Sequence, residues 1–148
     1  MNMCVEESMG EWSGPPPRAG GIYDLIAQAS GETGQRDRIG AVIALGDSGD
    51  PRAVRPLISC CNDEDPEIRR HATDALYKLR SGRAVYALIE RMKDKSEQPQ
   101  TRRRAAAALA AIRTYSAIEG LRDRIFDGNE DPAIRSYVAV MLGRMRIL

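Results

Sequence analysis

LGDSGDPRAVRPLI, Leu45 to Ile58, and NDEDPEIRRHATDAL, Asn62 to Leu76, are the two stretches whose reading decides the fold. In the first, Asp50 and Pro51 open a run in which Val54, Leu57, Ile58 and Cys61 fall at i, i+3, i+4 and i+7, the stripe of an amphipathic helix with an acidic N-cap and proline at its first position. In the second, Asp65 and Pro66 open a run whose stripe is Ile68, Ala72, Ala75, Leu76 and Leu79. Two short helices in succession, here termed A and B, form one hairpin. Neither stripe is covered within so small a unit, so further hairpins must stack on it.

Those hairpins are legible on both sides. RIGAVIALGDSGDPRAV from Arg38 aligns without gaps on RRHATDALYKLRSGRAV from Arg69, at a spacing of about 31 residues. A further step of about 33 carries Arg69 to Arg102 and Arg135, and Leu76 to Leu109 and Leu142. A stripes recur as Ile22, Leu25, Ile26, as Val85, Leu88, Ile89, Met92, and as Ile118, Leu121, Ile125; B helices recur around Arg36 to Leu45, Thr101 to Arg113 and Pro132 to Met145. The expected fold is all-α, an α-solenoid of about four hairpins spanning approximately 22–46, 50–79, 83–113 and 117–146. Residues 1–21, with Gly14, Pro15, Pro16, Pro17, Gly20 and Gly21 and the only tryptophan, Trp12, read as a disordered tail before a 22–148 domain. The turn Lys93 to Gln100 is longer than its counterpart Asn62 to Glu67 and reads as mobile.

Composition sets the limits on function. The 22 basic and 21 acidic side chains leave a net charge of +1, so no global field draws the chain to a polyanion or an anionic membrane. The longest apolar run, Ala105 to Ile112, falls far short of the roughly 20 residues that span a bilayer. The first residues, MNMCVEESMGEW, lack the apolar stretch of a secretory signal, and Cys4, Cys60 and Cys61 lack metal-ligand spacing; a cytoplasmic location with reduced thiols is the expectation.

The two quoted stretches, with weaker copies in TRRRAAAALAAI and NEDPAIRSYVAVMLG, resemble HEAT repeats of the kind first described in phycobilin lyase subunits, over approximately 22–148. The resemblance implies the helical array and leaves function open, because such arrays serve as scaffolds, chromophore lyases, hydroxylases and nucleic-acid binders. It also implies a structural ladder between an acid ahead of the B helix and an arginine at its start. Asp63 and Arg69 match that pair, while Ser96 and Asn129 stand opposite Arg102 and Arg135, so the ladder reads as incomplete. The row Arg38, Arg69, Arg102, Arg135 could alternatively track a polyanion; a structural role is favoured, since arginine in a helix's first turn ties loop carbonyls and carboxylates together.

Chemistry is sparse. The hydroxylases of this architecture hold di-iron with repeated His-Glu pairs, whereas the single histidine here, His71, is followed by Ala72 and reads as a packing residue. Cys60 and Cys61 close an A helix, where the dipole disfavours a thiolate, and GDSGDP lacks a phosphate loop's ending. Arg102, Arg103 and Arg104 diverge around their helix without interleaved aromatics, which argues against nucleic acid. No cofactor is expected.

In such arrays the B helices line the concave side, so B-helix positions opposite the stripe are the candidate contact surface. These are Arg70, Thr73, Asp74 and Tyr77; one repeat on, Arg103, Ala106, Ala107 and Ala110; then Ser136, Ala139, Val140 and Gly143; and one repeat back, Ile39, Val42, Ile43 and Gly46. Tyr77, Arg70 and Arg103 would edge an alanine-floored groove for a peptide; the competing reading is that alanine lets neighbouring B helices approach. The last hairpin, YVAVMLG followed by MRIL, has little polar cover and suggests self-association. The functional expectation is a non-catalytic scaffold binding an unidentified protein, with a lyase-like or chaperone role toward a tetrapyrrole or other ligand, and nucleic-acid binding, as alternatives.

Overall fold

The computed structural model describes residues 21–31 and 33–146. Among them are eight α-helices, two 3-10 turns and no strand: α1 (Ile22–Ala29), α2 (Gln35–Asp47), α3 (Val54–Cys60), α4 (Pro66–Leu79), α5 (Val85–Lys93), α6 (Pro99–Ile112), α7 (Tyr115–Phe126) and α8 (Pro132–Arg144). Successive pairs form four hairpins, and the B helices α2, α4, α6 and α8 pack in order along one side. The tail expected over 1–21 lies outside the described residues apart from Gly21.

Local chemistry sets the boundaries. Asp65 accepts a hydrogen bond from the Glu67 N–H, and Asp131 from the Ala133 N–H, each followed by proline at the first helical position. Asp50 caps in the same way, but what it opens is a 3-10 turn, Pro51–Ala53, that leads into α3; Ser81 does the same for Gly82–Ala84 ahead of α5. The third B helix starts at Pro99, two residues before the expected Thr101, because proline takes the first helical position there. Every B helix is followed by one left-handed residue at the same repeat position: Gly49, Arg80, Arg113 and Arg146.

The core is a single line of stripes running through all four units. Leu45, Leu57, Ile68, Leu76, Leu88, Met92, Leu109, Leu121, Ile134 and Leu142 are fully buried in it. At roughly 25 cal/mol per Å2 of apolar surface, each leucine or isoleucine contributes about 2 kcal/mol, which is why the repeat pattern rather than any one unit holds the array together. Among the described residues, no helix is long and apolar enough to cross a membrane.

The turn before α6, expected to be mobile, is tied down. Asp94 accepts from the Ser96 N–H and hydroxyl, and the side chain of Glu97 is wholly buried beneath Arg69 and Arg91. The extra length accommodates a buried ion pair rather than slack.

Candidate functional site

The first three arginines of the row reach forward to the next unit. Arg38 pairs with Asp63, Arg69 with Glu97 (Nε to Oε2, 2.7 Å) and Arg102 with Glu130 (2.6 Å). Arg91 and Arg124, from the A helices, close on the same Glu97 and Glu130 at 2.8 and 3.1 Å. This corrects the expected pairing twice. Asp63 takes its salt bridge from Arg38, while Arg69 touches only its backbone carbonyl, at 2.8 Å. The ladder is also continuous, because the acids of the third and fourth units are Glu97 and Glu130, one residue beyond Ser96 and Asn129. A glutamate two residues ahead of the helix's proline, with its extra methylene, does the work of an aspartate three residues ahead.

Burial and charge oppose each other along the ladder. Burial pushes the Glu97 and Glu130 carboxyls up, yet hydrogen bonds from Arg69 and Arg91 at the first, from Arg102 and Arg124 at the second, and from a backbone N–H at each, hold both below the usual glutamate value. The hydrogen bond from Arg38 holds Asp63 low in the same sense. With their charge met by carboxylates, Arg38, Arg69 and Arg102 do not form a cationic track.

Arg135 ends the row. Its guanidinium donates to the backbone carbonyls of Asp127 (2.7 Å) and Glu130, as Arg69 does to those of Asp63 and Glu64, but among the described residues it meets no carboxylate. Its buried Nε, the atom that in Arg69 holds Glu97, has no hydrogen-bond partner.

The proposed contact face is where the structure departs most from the groove reading. Thr73, Ala106 and Ala107 are buried, Val42 and Gly46 likewise, because in the first three units these positions are covered by packing within the array, much of it by the following B helix. A Cβ on Gly46 would lie 2.7 Å from that of Ala75, so glycine is what allows α2 and α4 to approach. The alanines therefore serve helix packing and do not floor a groove. Arg70, Asp74, Tyr77 and Ala110 stay half-buried, and Arg103 is exposed. The cation that joins Tyr77 is Arg104, whose guanidinium sits 5.2 Å from the ring centroid and pairs with Asp74 at 3.0 Å. Arg70 pairs with Glu67 and approaches His71, whose pKa burial and the Arg70 charge hold down.

In the fourth unit the same positions are open. Ser136, Val140 and Gly143 are exposed, Ala139 is half-buried, and nothing lies within 4 Å of a Cβ built on Gly143. Val140 is 54% exposed, against 8% for Ala107 one repeat earlier.

Neither described thiol, Cys60 or Cys61, is set up as a nucleophile. Burial raises Cys60 and pushes Cys61 up to about 12, and Cys61 packs against the Thr73 hydroxyl. An open groove of about 400 Å3 between α1 and α3 is lined by Ile26, Arg38, Arg55, Cys60 and Asp63, with the Arg38–Asp63 rung in its wall. Among the described residues, no three His, Cys, Asp or Glu side chains are grouped to hold a metal ion.

Comparison with known proteins agrees with this geometry. A family model described as HEAT repeats matches residues 24–99. No curated protein matches the sequence. Human deoxyhypusine hydroxylase, solved with glycerol, superposes with a TM-score of 0.75 at 22% identity over 90% of this chain and 46% of that one. The complex of CpcE and CpcF of phycocyanin lyase from Nostoc sp. superposes at 0.64 and 24% identity, over 84% and 52%. The chain thus spans about half the length of these structures, and at such identities the likeness is one of fold.

Proposed function

We propose that this chain, which belongs to the HEAT-repeat family, including repeats like those of phycobilin lyases, is a non-catalytic protein-interaction module that docks a helical partner on the open C-terminal end of its array. The observation that carries this reading is the contrast at one repeat position: Gly46 is buried against Ala75 of the following B helix, and a Cβ built on Gly143, its counterpart, meets nothing within 4 Å. A helix face that packs on a neighbour in the earlier units keeps the shape and small side chains to pack on one more.

The chemistry of the side chains supports a non-catalytic role. The thiols of Cys60 and Cys61 are buried with raised pKa, the one histidine lacks the neighbouring glutamate of a His-Glu pair, and Arg38, Arg69 and Arg102 are neutralised by carboxylates. A photoreactive residue placed at Val140 should crosslink to a partner protein in cell extract, whereas one at Tyr86, which is still more exposed and lies on an A helix, should not. Adducts at Tyr86 alone would overturn the reading.

A further inference from the structure

Resting on that reading, we propose that the occupant of the open C-terminal end is the N-terminal end of a second copy, so that the array continues head to tail from α8 onto α1 and α2 of the next molecule. The two ends fit because the repeat makes each the counterpart of surfaces already joined inside the chain.

Gly143 stands at the repeat position of Gly46, and Ala44 at that of Ala75. The Gly46–Ala75 approach that brings α2 against α4 would therefore recur as Gly143 against Ala44 of the second copy. Val140, at the position of Asp74, would lie over Gly40, at the position reached by Arg104 in the Asp74–Arg104 contact; Gly40 is exposed with nothing within 4 Å of a built Cβ. Arg144 stands where Asp47 does, and Asp47 where Lys78 does, so the Asp47–Lys78 pair of 2.8 Å becomes Arg144 facing Asp47 of the second copy, opposite charges once more.

Among the described residues, the receiving end is open as well. A groove of about 380 Å3 runs between α1 and α2, lined by Leu25, Gln28, Arg36, Asp37, Gly40 and others. Its Gln28 stands at the position of Cys60, which in the second unit is buried against the carbonyl of Ala29 in the first. By that correspondence the groove is where a preceding hairpin would sit.

A heterologous contact of this kind does not close on itself, so association should proceed past the dimer. The test is sedimentation velocity of the full chain and of two variants, with the helicity of each checked by circular dichroism. The wild type should grow with concentration and dissociate as salt is raised. Ala44→Arg, a half-buried position that would meet Gly143 and so blocks the receiving end, and Val140→Arg, which blocks the donating end, should each be monomeric alone. Their mixture should form a dimer through its two intact ends and stop there. A wild type that is monomeric at every concentration overturns the second copy as occupant. So does an Ala44→Arg variant that dimerises by itself, which would mean two C-terminal ends meeting. Either result leaves a crosslink from Val140 to a different protein intact, so this inference and the proposed function fail separately.

Discussion

The B-helix face of the first three units and that of the fourth are built from the same repeat positions, yet Val42, Gly46, Thr73, Ala106 and Ala107 are interior in the one, and Val140 and Gly143 are surface in the other. Gly46 is pressed against Ala75, and a Cβ built on Gly143, its counterpart, would meet nothing within 4 Å. The same division runs through the ladder. Arg38, Arg69 and Arg102 each hold a carboxylate of the next unit, while among the described residues Arg135 holds backbone carbonyls of its own unit and no carboxylate. A repeat sequence specifies an interface at every step, and among the described residues the fourth unit presents its own uncovered.

The largest way to break this comparison is to enlarge the paired glycines. Gly46→Val puts side-chain atoms into the backbone and Cβ of Ala75 and should cost about 3 kcal/mol or more, or prevent folding, whereas Gly143→Val should change the stability of the monomer by less than about 0.5 kcal/mol. Urea unfolding of the two variants decides it; equal losses would mean that the fourth unit is not open.

The ladder gives the next effect. Glu130→Ala leaves Arg102, itself buried, without its carboxylate and Arg124 with Asp127 alone, and should cost about 3–5 kcal/mol. Arg135→Ala removes only hydrogen bonds to carbonyls and should cost about 1 kcal/mol. Comparable losses at the two ends of the row would contradict the difference between a closed and an open rung.

Acid should act on the closed rungs. Glu97 and Glu130 titrate below the usual glutamate value when folded, so the unfolded chain binds the proton first and acid favours unfolding. Their contribution is complete above the unfolded value, about 4.3, and is lost as pH falls through the lower folded values. Stability measured between neutral pH and pH 3 should decline in that window, and the decline should be shallower in a Glu97→Gln, Glu130→Gln variant; an unchanged slope would remove the glutamates as its cause.

The smallest effect lies at the helix ends. Arg80 and Arg113 adopt φ of 50° and 60°, where the first unit has Gly49 at 66°. Arg80→Gly and Arg113→Gly should each stabilise by about 1 kcal/mol, seen as a higher melting temperature, with less gain at the terminal Arg146.

The array itself was legible because helix stripes, Asp-Pro starts and a spacing of about 31–33 residues are local features of a chain. The ladder was misassigned because counting by a fixed interval lands on Ser96 and Asn129, and the interval does not hold where turn lengths differ. The nearby Glu97 and Glu130, each just ahead of a residue and then proline, were the available signal. The candidate contact face was read as one continuous surface, which the burial pattern divides. Helical angle tells which residues leave their own hairpin's core; whether the next helix then covers them depends on how many units follow, which separates Thr73, Ala106 and Ala107 from Ala139 and Val140.

The most direct measurement is amide hydrogen exchange of the unmodified protein at low and high concentration. Protection should rise together in α8 and in the α1–α2 pair as concentration increases, and stay constant in α4 and α6, which are already covered on both sides. Protection that rises in α8 alone, or in the A helices α5 and α7, or nowhere, would contradict an end-to-end contact between copies.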